Sequence, residues 1–159
     1  MEFEARLRDR TAWSIGDHCS AAKTLELLST KTAFLVVREC FYGTSRFDDF
    51  VTRIEAAAPT IARALKQLES AGVLARTPYR EPGARPRDEY RLTEAGEDLL
   101  PVFLALVQWG DKHLQDGRPP LTFTRGGDGK QVGVTVTTTD TEPVTSQDIE
   151  IRRGGRRTT

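Results

Sequence analysis

The alternation of apolar and polar positions is most regular between residues 59 and 71, where it predicts an amphipathic helix. Apolar residues recur every three or four positions, as one buried helix face requires. That face contains Ile61, Ala64, Leu65 and Leu68. Pro59 suits the first turn, where its missing N–H has no partner in any case, and Gly72 is the residue type that commonly ends a helix. The opposite face is polar and contains Thr60, Arg63, Lys66, Gln67 and Ser70.

Two extended runs follow this helix, Val73–Arg80 and Asp88–Leu92. They are joined by the sequence EPGARPR, whose proline and glycine residues favour turns, so the pattern predicts a β-hairpin. A helix with polar and basic residues outward, followed at once by a basic hairpin, is the surface that a winged helix presents to DNA.

Four further helices are predicted before residue 59, and the first three of them precede Gly43. Residues 2–11 form a short helix, and Ala21–Leu28 forms a second one with Ser20 as its N-cap. The second helix is expected to turn Ala21, Leu25 and Leu28 inward. The third, Thr32–Tyr42, is apolar around nearly its whole circumference and is therefore the predicted central, buried helix.

Either Ser29 or Thr30 can cap that central helix, and Gly43 ends it. Residues Thr44–Phe47 are expected to form an extended link, and Asp48–Ile54 a short helix before the EAAA turn. Helix, tight turn and helix together form a predicted helix-turn-helix, in which the amphipathic helix after residue 59 is the second, recognition helix.

A long helix is predicted from a Thr93 cap to about Gln115, kinked by Pro101 because proline removes a hydrogen bond and clashes with the preceding turn. Its apolar surface is broader than one small domain needs, which favours a dimer interface. The predicted dimerisation residues are Phe3, Leu7, Leu99, Val102, Phe103, Leu106 and Trp109.

The composition changes after residue 116, which predicts two domains, 1–116 and 117–159. The second is β-rich, since Val132, Val134 and Val136 alternate with polar residues, and its GGRRTT end is expected to be disordered. Two or three strands are not stable alone, so this sheet must dock on the helical body or on a partner chain.

The formal net charge is zero, but its distribution is uneven. Residues 59–91 carry seven basic and four acidic residues, whereas residues 93–116 carry one lysine and five acidic residues. This asymmetry fits a protein that approaches phosphate in one orientation, although a solvated charged surface would read the same way.

Several functional classes find no support in the sequence. No apolar run approaches the roughly 20 residues that cross a bilayer, and the charged N-terminus has no signal core, so a cytoplasmic protein is expected. The two cysteines form no metal cluster, neither histidine has a partner at metal-ligand spacing, and no phosphate loop or nucleophile motif appears. We therefore expect no enzymatic activity, no cofactor and no metal.

The order of these motifs resembles the HxlR-type winged-helix transcriptional regulators, relatives of the MarR group, from about Cys19 to Leu114. The family's cysteine ahead of the first core helix is matched by Cys19. Its RF-x-x-L element is matched by Arg46, Phe47 and Phe50, and the end of its recognition helix by Leu65, Leu68, Gly72 and Val73. Its Y-x-LT-x-x-G and LLP…W motifs are matched by Tyr90, Leu92, Thr93, Gly96, Leu99, Leu100, Pro101 and Trp109.

The resemblance implies a mainly α fold with small β elements: a winged helix-turn-helix that binds double-stranded DNA as a homodimer on a pseudo-palindromic operator. Thr60, Arg63 and then Gln67 are the expected base readers, and Lys66 is expected on phosphate. A bidentate Arg63–guanine pair would contribute roughly 1–3 kcal/mol of discrimination. The remaining expected DNA contacts are Lys31 and Arg46 at element ends and Arg85 and Arg87 at the wing tip.

The sequence departs from the family at three places. Thr32 stands where a tryptophan is usual, which opens space for a small-molecule effector or for repacking of Phe34, and Ala64 replaces a recognition-helix arginine. The C-terminal segment resembles a zinc ribbon but has Thr137–Asp140 where cysteines are usual, so a metal-free remnant is expected.

Three alternatives stay open at this point. Cys19 is a redox-sensor candidate because some relatives switch on a cysteine at this place, and the alternative is that it is a small apolar packing contact. The chain could instead be a winged-helix interaction module that no longer binds DNA, or a small-molecule-binding protein built around the space beside Thr32.

Overall fold

The computed structural model of the 159-residue chain describes residues 9, 11–12, 14, 16–80, 83 and 86–135, and the backbone of 149–153. After a 3-10 turn at Gly16–His18, the described helices are α1 Ser20–Leu27, α2 Lys31–Phe41, α3 Phe47–Ile54, α4 Ala58–Ser70, α5 Glu94–Glu97 and α6 Leu100–Leu114. The strands are β1 Leu74–Tyr79, β2 Arg87–Leu92, β3 Leu121–Arg125 and β4 Ile149–Arg153. The predicted helix at 2–11 and the GGRRTT end lie outside the described residues.

Helix α1 differs from its prediction at its cap and in its buried face. Its N-cap is Cys19, whose Sγ accepts a hydrogen bond from the Ala22 N–H at 3.5 Å, so the prediction that Ser20 is the cap was wrong. Leu25, predicted to face inward, is 68% exposed. The helix packs on the core through its last turn, where Leu27 and the following Leu28 are half-buried.

Helix α2 is the central helix, as its apolar circumference predicts. Thr30 is its N-cap and accepts a hydrogen bond from the Ala33 N–H at 3.1 Å, which confirms one of the two predicted caps. Val36 and Val37 are fully buried. They belong to a cluster with Ala33, Phe50, Ile61, Ala64, Leu65, Leu68, Val73 and Leu74. The apolar face predicted for the recognition helix is thus the face that α4 turns to the core.

Helices α3 and α4 form the predicted helix-turn-helix. The turn between them is closed by Glu55, which has a positive φ of 55°, and α4 ends at Ala71 and Gly72, the latter with φ 72°. The wing follows at once, because β1 and β2 pair antiparallel with Leu74 opposite Leu92 and Tyr79 opposite Arg87.

The predicted link at 44–47 forms a short third edge of the wing. The Tyr90 N–H donates to the Ser45 carbonyl at 2.8 Å. The backbone of Arg46 forms an isolated antiparallel β-bridge with that of Glu89 in β2. Phe47 belongs to α3 rather than to the link. The wing is therefore hydrogen-bonded to the residues that precede the helix-turn-helix.

The single kinked helix predicted for 94–115 is wrong, because the chain forms two helices there. Thr93 caps α5, with its Oγ1 accepting from the Gly96 N–H at 3.2 Å. The helix breaks at Asp98 and Leu99, and α6 restarts with Pro101 in its first turn. A proline at this position has no N–H for a partner one turn earlier, and its ring would clash with that carbonyl, so a new helix start costs less than a continuous helix.

The C-terminal segment docks on the helical body. Phe123 of β3 is buried in a second cluster with Leu100, Phe103 and Leu104 of α6. The Gln108 side chain holds the segment as well, since its Nε2 donates to the Val134 carbonyl at 3.1 Å and its Oε1 accepts from the Val134 N–H at 2.8 Å. Residues 132–134 are not a strand as predicted, while β3 pairs antiparallel with β4. Val136 and Thr137–Asp140 lie outside the described residues.

Candidate nucleic-acid interface

Most of the α4 residues predicted to contact DNA are exposed to solvent. Thr60 and Arg63 lie in its first two turns and are exposed, as is Lys66 one turn further on. The opposite face fixes their orientation, because Ile61 and Leu65 are at most 1% exposed. Rotation of α4 about its axis would expose these apolar residues to water, so the orientation of its polar face is fixed.

Gln67 is placed differently from Thr60 and Arg63. It is half-buried, and its Nε2 donates to the Leu27 carbonyl at the end of α1, at 2.8 Å. This hydrogen bond ties the C-terminal half of α4 to α1. Gln67 therefore connects two helices, which its place on the polar face of the predicted helix did not indicate.

Three of the described arginines of the wing lie beside carboxylates. Arg87 Nη1 is 3.2 Å from Asp48 Oδ2 of α3, and both side chains are more than half exposed. Arg76 lies 3.3 Å from Glu69 of α4 and 3.4 Å from Asp88. Arg91 pairs with Glu89 at 2.9 Å. Glu69, Asp88 and Glu89 are already part of the charge count for residues 59–91, so Asp48 is the carboxylate that further reduces the positive charge of this surface. Arg85, predicted with Arg87 at the wing tip, lies outside the described residues.

Arg46 and Tyr79 form a contact near the turn end of the wing, where Tyr79 pairs with Arg87. The Arg46 guanidinium carbon lies 4.8 Å from the centre of the Tyr79 ring, a cation–π distance. Both line a groove of about 520 Å³ between the start of α3 and the wing, together with Asp48, Asp49 and Arg87. Sequence reasoning missed Tyr79, since only the hairpin register brings it to Arg46. Lys31, the other predicted element-end cation, is the exposed first residue of α2.

The apolar stripe predicted on the last helix is narrower than expected. Val102, Leu106 and Trp109 of α6 are 39%, 52% and 57% exposed and follow one another at helical spacing. We call these three residues the α6 stripe. Phe103 requires a correction, because it is 2% exposed and its ring stacks on Phe41 at 5.5 Å within the core.

The other predicted dimerisation residues are not among the exposed apolar residues of the described chain. Leu99 is half-buried against the first core cluster, and Phe3 and Leu7 lie outside the described residues. Leu25 and Leu114, which the prediction did not include, are 68% and 70% exposed. Amphipathic spacing alone did not separate residues that pack within the chain from residues left on its surface.

The two cysteines are free and differ in environment. Cys19 is half-buried at the N-terminus of α1. Cys40 packs against the core, and burial, with the nearby Glu39 and Glu97 charges, raises the pKa of its thiol to about 12. Among the described residues, no group of three histidine, cysteine or acidic side chains could hold a metal ion.

The helix-turn-helix with its hairpin defines the class: this is a winged helix-turn-helix protein. The family model "HxlR-like helix-turn-helix" matches residues 27–118. The chain therefore belongs to the HxlR-like family of helix-turn-helix transcriptional regulators, which confirms the resemblance found in the sequence.

Sequence relatives carry the same description. An "uncharacterized HTH-type transcriptional regulator" of Mycobacterium tuberculosis is 37% identical over 103 residues, and one of Synechocystis is 33% identical over 101 residues. The alignments cover 64% and 63% of this chain, and 64% and 73% of those proteins. The chain thus spans just under two thirds of the length of the mycobacterial relative. These relatives are described as transcriptional regulators, not as enzymes.

Two solved structures with the same fold are redox regulators. The oxidised form of HypR has a TM-score of 0.54 at 27% identity and covers 60% of this chain and 97% of its own. The reduced form of YodB from B. subtilis has a TM-score of 0.53 at 26% identity, and the match covers 62% of this chain and 97% of YodB.

In the described part of this chain, no helix is long and apolar enough to span a membrane.

Proposed function

We propose that this protein regulates transcription by binding double-stranded DNA as a homodimer, with α4 of each protomer in successive major grooves of a pseudo-palindromic operator. The observation that carries the proposal is the exposed edge of α4, formed by Thr60, Arg63 and Lys66 and held in place by its fully packed opposite face. Membership of a helix-turn-helix regulator family supports DNA as the ligand.

Residues of the proposed interface have distinct roles. Arg63 and Thr60 read base edges, and Lys66 contacts phosphate. Arg46, Lys31, Arg85 and Arg87 add phosphate contacts around that edge. Gln67 we assign to positioning, since its amide is bonded to Leu27.

The test begins with selection of bound DNA from a random pool at a stated salt concentration. Arg63→Ala should weaken binding to the selected site by roughly ten- to a hundredfold and relax its sequence preference at one base pair, because a bidentate base contact is lost. Arg118→Ala, which removes an exposed arginine after α6, is the matched control and should leave binding unchanged. Failure to enrich any sequence would instead favour a winged-helix protein-interaction module.

The wing is tested by salt dependence. Replacing Arg85 and Arg87 together by alanine should lower affinity for every sequence and flatten the salt slope by about one to two, since each phosphate contact releases counterions. An unchanged slope would show that the wing does not touch DNA.

A redox input is a second, separate proposal, with Cys19 as the responsive residue. Cys19 is a free thiol, half-buried at the N-terminus of α1, and two similar structures are titled redox regulators. Peroxide should lower the DNA affinity of the protein and leave that of Cys19→Ser unchanged. If both proteins respond equally, or neither responds, Cys19 is not a sensor.

A further inference from the structure

A cavity of about 490 Å³ lies between α6 and the C-terminal segment that packs on it. Most of its wall is apolar and consists of Leu104, Val107, Leu121, Phe123, Val132 and Val134. Sites for small organic molecules have this size and this mixture of apolar walls with a few polar groups. The space predicted beside Thr32 is a different place, since Thr32 is not among these lining residues.

The walls of this cavity are held in position by hydrogen bonds. The two bonds between the Gln108 amide and Val134 fix one wall to α6, and the Val132 N–H donates to the Phe123 carbonyl at 2.8 Å. Because Gln108 uses both ends of its amide in this way, it is not a free group for a ligand. A ligand would therefore enter a formed site and would not have to order its walls.

Asp111 gives the cavity its electrostatic character. It is the only ionisable side chain among the described lining residues, and within the described chain no ion pair or hydrogen bond satisfies its carboxylate. Partial burial raises the pKa of the Asp111 carboxyl, which means that its charged form has lost solvation without gaining a partner. A positively charged group beside it would restore that lost stabilisation, while an anion would be repelled.

We propose that this cavity binds a small organic cation, an amine whose ammonium group pairs with Asp111 and whose apolar body lies against the aliphatic and aromatic wall. Phe123 contributes an aromatic residue to that wall. A neutral molecule of the same shape would keep the apolar contacts and lose the ion pair.

The position of the cavity connects it to the proposed dimer. Helix α6 supplies Leu104, Val107 and Asp111 to the cavity wall and carries the α6 stripe on its exposed side. A ligand in the cavity thus touches the same helix that would contact a second protomer. The proposal that the cavity binds a cation does not require DNA binding, and it is tested without DNA.

The experiment compares three probes with the full chain by isothermal titration and ligand-observed NMR: phenethylammonium, 2-phenylethanol and 3-phenylpropanoate. They share an aromatic body and differ in charge. Phenethylammonium should saturate and bind at least about tenfold more tightly than the alcohol, because a charge-assisted hydrogen bond is gained. The carboxylate should bind more weakly than the alcohol.

Three variants locate the site. Asp111→Asn should reduce phenethylammonium affinity to that of 2-phenylethanol and leave the alcohol unaffected, whereas Asp98→Asn, the same charge change at an exposed residue outside the cavity wall, should change neither. Val107→Trp fills the cavity and should abolish binding of both, with circular dichroism reporting whether the variant is folded.

The inference is overturned if phenethylammonium does not bind at millimolar concentration, if the carboxylate binds equally well, or if Asp111→Asn leaves the preference for the amine intact. Each result would leave the DNA-binding proposal standing, because DNA selection uses no amine.

Discussion

Asp48 is the residue at which the charge of the proposed DNA-binding surface can be altered with the least structural change. Its carboxylate lies 3.2 Å from Arg87 on an exposed surface, so the ion pair contributes only about 0–1 kcal/mol to stability. The same carboxylate neutralises a wing arginine and repels phosphate. The pair therefore affects DNA binding more than folding.

Asp48→Asn should raise affinity for DNA of any sequence, by roughly two- to tenfold at low salt, because the partner of Arg87 is removed. The thermal midpoint should stay within about 2 °C of the parent protein. The measurement is fluorescence anisotropy with random-sequence DNA. Asp49→Asn, the same change at the neighbouring residue, should have a smaller effect, and equal effects of the two variants would refute a role for the Arg87 pair.

Cys40 illustrates how burial makes a thiol unreactive. Its raised pKa of about 12 leaves very little thiolate at pH 8, and the thiolate is the nucleophile. We predict that iodoacetamide at pH 8 modifies Cys40 on the order of a thousandfold more slowly than a free cysteine, and that urea removes the difference. Peptide mass spectrometry measures both cysteines in one sample. Labelling of Cys40 at the free-cysteine rate in the folded protein would contradict the prediction.

At the scale of elements, Gly96 marks a junction where α5, the start of the wing and the end of α4 meet. A Cβ at Gly96 would overlap the Val73 backbone oxygen, and the Thr93 hydroxyl donates to the Gly72 carbonyl at 2.6 Å beside it. Because the obstacle is backbone, the neighbour cannot rotate away. The requirement for glycine here is one of space, and φ at this residue is not positive.

Gly96→Ala should therefore destabilise the protein by about 2 kcal/mol or more, as steric changes in packed sites do. Gly110→Ala in α6 is the matched control. Nothing lies within 4 Å of its built Cβ, and alanine favours a helix over glycine by about 1 kcal/mol, so this variant should be slightly more stable. Urea unfolding of both variants measures the change in the free energy of unfolding. An unchanged free energy in Gly96→Ala would mean that the backbone at Val73 can move to accommodate the methyl group.

Elements with local signals were predictable from the sequence. The Thr30 and Thr93 caps, the Gly72 terminus and the buried face of α4 each depend on residues within one or two turns, and the structure confirms them. The Cys19 cap was missed because a thiol is a weak acceptor and serine is the usual cap.

Features that depend on distant residues could not be predicted. Phe103 is buried by rings from distant parts of the chain, among them Phe41 of α2 and Phe123 of β3, whose centres lie 5.5 and 5.8 Å from its own. The Arg87–Asp48 pair and the Arg46–Tyr79 contact likewise need the wing to fold back on α3. For the candidate interface, the sequence indicated which face of α4 is exposed, and the folded chain added the pairing of Arg76 and Arg87 of the wing with Glu69 and Asp48.

For the molecule as a whole, we expect the α6 stripe to form the interface of the proposed dimer, which would place two recognition helices on one operator. Leu106→Glu should convert a dimer to a monomer, because a charge in an apolar interface has no partner. Affinity for a two-half-site DNA should then fall at least about a hundredfold, since bivalent binding is lost.

Sedimentation velocity measures the association state, and circular dichroism verifies that the helices persist. Ala105→Glu introduces the same charge at the next exposed position, off the α6 stripe, and should leave the dimer intact. A Leu106→Glu protein that sediments like the parent would exclude the α6 stripe as the interface.

The Gln108 amide binds the C-terminal segment as a strand would, through the N–H and C=O of one residue. Because these two hydrogen bonds involve only the backbone of Val134, they do not depend on which side chain the residue carries. Lineages that share Gln108 are thus free to exchange residues around Val134 and retune the chemistry of the adjoining cavity without detaching its wall. Substitutions there would change the proposed ligand preference one at a time, without altering the exposed face of α4 proposed to contact DNA.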